Sequence, residues 1–219
     1  MRILVAGGSG FLGTALGDSL RRDGHQVVNL TRTPRHNQDL AWSPQTGPTA
    51  IPVINDTDVI VNLAGESIAG GRWTAARKAA IRGSRVAATR ALAEAIRAAK
   101  RPPGVFLSGS GIDIYPASRE GTATEDTPPG SSFLASVCRE WEGEALAAAG
   151  RTPVVLLRTA LVLARRGGAL PQIARPFWFF AGGPVGSGLQ PGSWIHLDDW
   201  GAGVPGAMAP TAVSGPLDL

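Results

Sequence analysis

Near the start of the chain, Gly7-Gly8-Ser9-Gly10-Phe11-Leu12-Gly13 carries three glycines in the spacing GxxGxxG. The stretch lies between a short apolar run, Arg2 to Ala6, and a helical pattern from Phe11 to Arg22. Between a strand and a helix, that spacing suits the pyrophosphate of a dinucleotide. Gly7 permits the tight turn, Gly10 lets backbone approach the phosphates, Gly13 lets the helix pack on the strand, and the helix N-terminus faces the anion. The alternative is a glycine-rich turn that binds nothing. About 20 residues further on, a site preferring NAD wants an acidic side chain for the ribose hydroxyls. This chain instead offers Asn29-Leu30-Thr31-Arg32, with Arg35 beyond. Thr31, Arg32 and Arg35 therefore point to a 2′-phosphate, and so to NADP as the cofactor. The alternative for the two arginines is a solvated loop.

Such a loop needs a buried sheet to hold it. His25 to Leu30 reads as a second strand, Asp58 to Leu63 as a third ending at Ala64-Gly65, Val105 to Ser108 as a fourth, and Pro153 to Arg158 as a fifth. Ser84 to Lys100 reads as an Ala/Arg-rich helix stopped by Pro102-Pro103. Phe133 to Ala149 reads as a helix with Leu134, Val137, Cys138, Trp141, Ala145 and Leu146 on one face. Thr33 to Pro52 reads as loop with room for one short strand. Apolar strands alternating with helices predict an α/β fold, its parallel sheet covered on both faces. The pattern lapses after Leu163. Residues 164–193 are rich in Gly, Pro and aromatics, and Phe177-Trp178-Phe179-Phe180 reads either as the wall of an apolar pocket or as a buried connector or dimer patch.

Composition narrows the function classes. In 219 residues, 43% hydrophobic and 17% charged side chains exclude intrinsic disorder. One cysteine, Cys138, excludes an intrachain disulfide, and no His, Asp or Glu grouping has metal-ligand spacing, so no metal is expected. This fits a reducing, cytoplasmic location. The apolar run at Met1 to Gly7 is too short for a signal peptide, and no apolar stretch reaches the ~18 residues of a membrane span. The net charge of +4 is almost all arginine, dispersed without a block of like charge. That suits an anionic small molecule better than nucleic acid. A small-molecule substrate is expected, and a homodimer stays open.

Five stretches carry a resemblance. They are VAGGSGFLG at 5–13, VNLAGESIAGGRW at 61–73, IRGSRVAATRAL at 81–92, TEDTPPGSSFLASVCREWE at 124–142 and GSWIHLDD at 192–199. The chain resembles the extended, atypical branch of the short-chain dehydrogenase/reductase superfamily. Within that branch it looks like the epimerase family of sugar-nucleotide-epimerase-like proteins. The resemblance implies an α/β, Rossmann-type doubly wound parallel sheet, an NADP-type dinucleotide, and an oxidoreductase or epimerase-like activity on an unassigned substrate. It implies that Leu63, Ala64 and Gly65, following Asn62, lie under the adenine and ribose, and that Ser110 takes the position of the catalytic serine. It also implies an organisation into an NADP-binding domain over 1–163 and a loop-rich, shortened substrate-side region over 164–219, packed on the same core. Relatives continue into helices that close the substrate site, and they look helical where Trp200 to Pro210 is interrupted by Gly201, Gly203, Pro205 and Gly206.

Proton transfer in the superfamily relies on Tyr-x-x-x-Lys on one helix, where the lysine lowers the tyrosine pKa. Leu134 and Cys138 hold those positions here. Cys138 reads as a core residue. The only tyrosine, Tyr115, lies five residues after Ser110 and is the substitute acid, or else a packing residue with its hydroxyl bonded to backbone. Asp113, Glu125 and Asp126 are alternative bases. His196, in the strand-to-helix motif, is a further candidate base or a brace for the substrate loops. If the Tyr/Lys chemistry is absent altogether, the alternative function is an NADP-binding regulatory protein.

Overall fold

Alternation along the strands sets the architecture. The structure is a computed structural model and describes residues 1–46, 52–117, 121–184, 186–209 and 214–219. In strand β1 (Arg2–Ala6), Ile3 and Val5 join one apolar cluster while Leu4 and Ala6 join another, and all four are fully buried. A strand buried on both faces needs neighbours on both sides and cover above and below. The cover on the Ile3 side is helix α1 (Phe11–Arg22), through Leu16 and Leu20. On the Leu4 side, α2 (Ala75–Ala98) contributes Ala88, Leu92 and Ile96, and α3 (Phe133–Leu146) contributes Ala145. The sheet is parallel and doubly wound, as expected. Its seven strands run in the order β3 (Asp39–Ala41), β2 (Gln26–Thr31), β1, β4 (Val59–Asn62), β5 (Val105–Gly111), β6 (Val154–Thr159) and β9 (Gly215–Asp218). Strand order reverses between β1 and β4. That opens a crevice at the carboxyl edge, where ligands bind in this class of sheet.

Several expectations need correction. The second helix begins at Ala75, nine residues before Ser84, because Thr74 caps it by accepting from the Arg77 amide at 3.2 Å. α3 stops at Leu146, so Leu146 turns off the shared face and is 46% exposed. The region after Leu163 is less irregular than its composition suggests. β7 (Leu161–Leu163) pairs with β8 (Trp194–His196), and α4 (Leu170–Trp178) lies between them in sequence. The glycine- and proline-broken stretch folds as α5 (Leu197–Gly206), anchored by fully buried Trp200 and Val204 one turn apart. β9 then joins the main sheet beside β6. Pro216 is tolerated there because β9 is an edge strand, with one side free of ladder bonds. Parts of the 33–52 loop (47–51), and Pro210 of the stretch after Trp200, lie outside the described residues.

Candidate active site

The glycine loop follows β1 directly. Gly7 has φ +82°, and a Cβ on it would stand 2.7 Å from the Leu63 carbonyl and 2.8 Å from the Ala64 nitrogen. Both the backbone conformation and the closeness of the β4 end therefore require glycine. A Cβ on Gly13 would collide with the Gly7 carbonyl, so the first turn of α1 sits tight on the loop. Gly10 differs: a Cβ there would meet only the Gly7 oxygen, at 3.3 Å. Internal packing does not demand its smallness, which leaves the approach from outside clear. Gly10 is also the N-cap of α1 and supplies no side-chain acceptor, whereas α2, α3 and α5 are capped by Thr74, Ser132 and His196. The first amides of α1 are thus available to an external anion, and the helix dipole favours one. Phe11 and Leu12 are half-buried against the core, and the Phe11 ring packs on Gly167 and Gly168. Leu63 and Ala64 press on Gly7 from the opposite side, and Gly65 follows them.

Beside the loop, over β2 and β3, lies a cavity of ≈ 740 Å³ lined by Gly8, Ser9, Asn29, Thr31, Arg35 and Asp39 among others. Thr31 and Arg35 line it; Arg32, exposed on the same turn, does not. The sequence showed no carboxylate at the end of β2, but β3 brings Asp39 into register with Asn29. That carboxylate is already engaged. It accepts from Asn29 Nδ2 at 2.9 Å, the Arg35 amide at 2.8 Å and the His36 amide at 3.0 Å. Burial pushes its pKa up, but these hydrogen bonds outweigh the burial and hold it below the usual value. Asp39 folds the Arg35 turn rather than offering itself to a ribose. Among the described residues, Asn29 Oδ1 is buried beside Gly8 with no hydrogen-bond partner. A polar wall and an arginine whose neighbouring acids, Asp39 and Asp18, are already engaged fit a phosphate, while the orphaned Asn29 Oδ1 fits a hydroxyl or amino donor of the same nucleotide.

The other half of the edge is built from side chains. Register places Ser110, Arg158 and Asp218 side by side on β5, β6 and β9. Ser110 Oγ donates to Glu142 Oε1 at 2.7 Å. Arg158 grips the same carboxylate with two bonds of 2.9 Å and donates to the Tyr115 hydroxyl at 2.8 Å. Tyr115 donates in turn to Asp218 at 2.8 Å. The structure brings Ser110 and Tyr115 into one buried network, with both hydroxyl protons directed at carboxylates. Burial, helped by Asp218, pushes the Tyr115 phenol up to about 12. The hydrogen bond to Glu142 raises the Arg158 pKa, and burial raises that of Asp218. Glu142, Arg158 and Asp218 escaped the sequence reading. The signals present were an arginine closing an apolar strand and a glutamate on an apolar helix face, each of which must find a partner.

Cys138 is buried against Ile114 and Tyr115, and burial together with Asp113 pushes its thiol to about 11. Leu134 is half-buried one turn before it. Asp113 is exposed as a residue, yet the chain around its carboxyl desolvates it and raises its pKa. The Glu125 side chain accepts from the Asp218 amide at 3.2 Å. His196 Nδ1 accepts from the Asp198 amide at 3.3 Å as the cap of α5, a bracing position. Phe177, Trp178, Phe179 and Phe180 are 57–99% exposed, so they are not a buried connector. Among the described residues, no group of three or more His, Cys, Asp or Glu could hold a metal, and no helix is long and apolar enough to cross a membrane.

Comparison with known proteins identifies the family. A sequence model of the NAD dependent epimerase/dehydratase family matches residues 3–204. An epimerase family protein of Mycobacterium leprae is 36% identical over 220 residues, covering 99% of this chain and 71% of that protein. The human epimerase family protein SDR39U1, crystallised with NADPH, matches with TM-score 0.89 and 34% identity over 100% of this chain and 73% of that one. A nucleoside-diphosphate sugar epimerase of Corynebacterium glutamicum matches with TM-score 0.84 and 31% identity over 100% of this chain and 46% of that one. With the glycine cradle, the reversed strand order and the match over most of its length, the chain belongs to the NAD dependent epimerase/dehydratase family.

Proposed function

We propose that the protein is an NADP(H)-dependent oxidoreductase or epimerase-like enzyme acting on a small carbonyl or hydroxyl compound. The observation that carries this reading is the uncapped N-terminus of α1 at open Gly10, next to a cavity lined by Arg35, which has no acid partner among the described residues, while the carboxylates there are Asp39, held by the loop, and Asp18, paired with Arg21. The NADPH bound by the human relative supports it. In this reading Gly7, Gly10, Phe11, Leu12 and Gly13 form the pyrophosphate cradle. Thr31, Arg32 and Arg35 hold the 2′-phosphate, and Leu63, Ala64 and Gly65 lie beneath a ribose. Residues 1–163 carry the dinucleotide and 164–219 flank the substrate, in a protein of the reducing cytoplasm. The bound dinucleotide would supply or accept a hydride. Ser110 would orient the substrate oxygen. Tyr115, pushed up to about 12, is protonated at neutral pH, which suits a donor to a nascent alkoxide. To donate, it must release Asp218.

A second reading, an NADP-binding regulator without turnover, rests on one observation: both candidate hydroxyls already give their protons to Glu142 and Asp218. Titration calorimetry with NADPH and NADH tests the shared part, and equal affinity for the two defeats the NADP assignment. An NADPH-oxidation screen over aldehydes, ketones and quinones then separates the readings. If a substrate is found, Tyr115→Phe lowers turnover about 10²-fold; normal turnover removes Tyr115 as the acid.

A further inference from the structure

One helix of the fold contributes nothing to the core. No residue of α4 is buried, and Leu170, Ile173 and Phe177, which the 3.6-residue period places on one face, are all exposed. The chain then closes a tight turn. The Phe179 amide donates to the Pro176 carbonyl at 3.1 Å, the Phe180 amide to the Phe177 carbonyl at 3.1 Å, and the Ala181 amide to the Pro176 carbonyl at 3.0 Å. That turn holds Trp178, Phe179 and Phe180 outward, the last of them 99% exposed. Phe180 has φ +55°, a left-handed conformation that no other non-glycine residue adopts among the described residues. A fully exposed ring on a disfavoured backbone is not explained by packing within the chain. Single apolar residues are ordinary on a surface, but a contiguous run of rings marks a contact with something apolar.

Charge narrows what that contact is. Between Glu144 and Asp198 the chain has no acidic residue. Arg165, Arg166 and Arg175, on α4 and the loop leading into it, are exposed and form no salt bridge among the described residues. A second copy meeting this surface about a two-fold axis would set the same arginines against one another, with no acid in the segment to answer them. A small molecule needs a concave site, whereas these rings stand on an exposed turn. Rings at the tip with uncompensated guanidiniums beside them match a bilayer surface. There aromatic side chains enter the boundary between headgroups and acyl chains, and basic side chains meet anionic headgroups. We propose that α4 and the turn after it dock the protein peripherally, without crossing, on a lipid surface carrying anionic headgroups. A helix of 9 residues buries too little to anchor the protein irreversibly, so the binding is reversible and salt-sensitive.

Co-sedimentation of the full chain with lipid vesicles tests this. Vesicles of phosphatidylcholine and phosphatidylserine in equal parts should bind about tenfold more protein than vesicles of phosphatidylcholine alone, and added salt should weaken that binding. The variant Trp178→Ser/Phe179→Ser/Phe180→Ser should lower binding about tenfold or more, and Arg165→Gln/Arg166→Gln/Arg175→Gln about as much. Both should melt with the wild type, since the substituted side chains are exposed. Phe180→Gly serves where the aromatic variant does not fold: it removes one ring, suits φ +55° and should still weaken binding severalfold. Binding that ignores phosphatidylserine, no binding at low salt, or folded variants that bind like the wild type overturns the proposal. So does a lower melting temperature of the folded aromatic variant, which would show the rings packing within the chain. Self-association in sedimentation velocity that this variant abolishes also overturns it, by making the occupant a second copy.

Discussion

The β1–β4 side of the crevice and the β5–β9 side are built on opposite principles. On the first, recognition belongs to backbone: an uncapped helix start, a glycine with positive φ and a glycine pressed against a carbonyl. On the second, it belongs to side chains drawn from α3, β5, β6, β9 and the turn after β5, which satisfy one another. The backbone half presents unfilled donors to the outside. The side-chain half has closed its own hydrogen bonds. A molecule made this way is poised to bind, while any proton transfer must first open a satisfied network.

The hardest blow to the side-chain half is Arg158→Met. It leaves Glu142 buried without a counter-charge, and its side chain is only 9% exposed. Breaking a buried pair from one side costs about 3–5 kcal/mol. Chemical denaturation should show that loss, and the double variant Arg158→Met/Glu142→Leu should recover a large part of it. A loss below about 1 kcal/mol would mean that water already reaches the network.

The backbone half breaks differently. Gly10→Val should lower NADPH affinity about 100-fold or more, the equivalent of one or two charge-assisted contacts. Its folding stability should stay close to the wild type, since a Cβ there meets only the Gly7 oxygen, at 3.3 Å. Gly7→Ala should do the reverse of a clean binding defect. Strained at φ +82° and pressed on Leu63, it should lose about 1–3 kcal/mol of stability along with the ligand. A Gly10→Val protein that melts early, or that binds normally, would show that the loop does not divide its work this way. Next in size, Arg35→Ala should cost about 1.5–3 kcal/mol of NADPH binding, with Arg32→Ala costing less, because only Arg35 lines the cavity. Equal losses in calorimetry would place both on the phosphate.

The contrast explains what the sequence made legible. Gly7, Gly10 and Gly13 announce their geometry because the residues that need one another are local. The five core strands and α1 followed from apolar runs for the same reason. Asp218 could not be read, since its partner Tyr115 is 103 positions away and β9 opens with a Gly-Pro pair that reads as a turn. Asp39 was invisible as part of the cofactor pocket until β3 set it beside Asn29. α5 was obscured by Gly201, Gly203 and Pro205, and it forms because burial of Trp200 and Val204 outweighs poor propensity. Local necessity leaves a pattern in the chain, while partnership across the sheet leaves only an isolated charged residue among apolar ones.

The finest test of the contrast is the titration of Tyr115. It is the sole tyrosine, so the ultraviolet tyrosinate band reports that hydroxyl alone. If the side-chain half is closed, the folded protein should ionise near 12, against an ordinary value of 10 in denaturant. The folded pKa lies above the unfolded one. The stability tied to the phenol is therefore complete below pH 10 and drains away as pH rises from 10 toward 12, because the unfolded chain releases its proton first. Tyr115→Phe should abolish that part of the alkaline slope in denaturation curves, while losing about 1–3 kcal/mol at neutral pH because Arg158 and Asp218 lose a shared partner. The expected slope is small and reads directly on mechanism. A folded-state titration near 10 would mean that the Asp218 bond opens readily, so that the side-chain half is as available to a ligand as the backbone half. A titration near 12 would mean that substrate binding itself must displace Asp218 before Tyr115 can give up its proton.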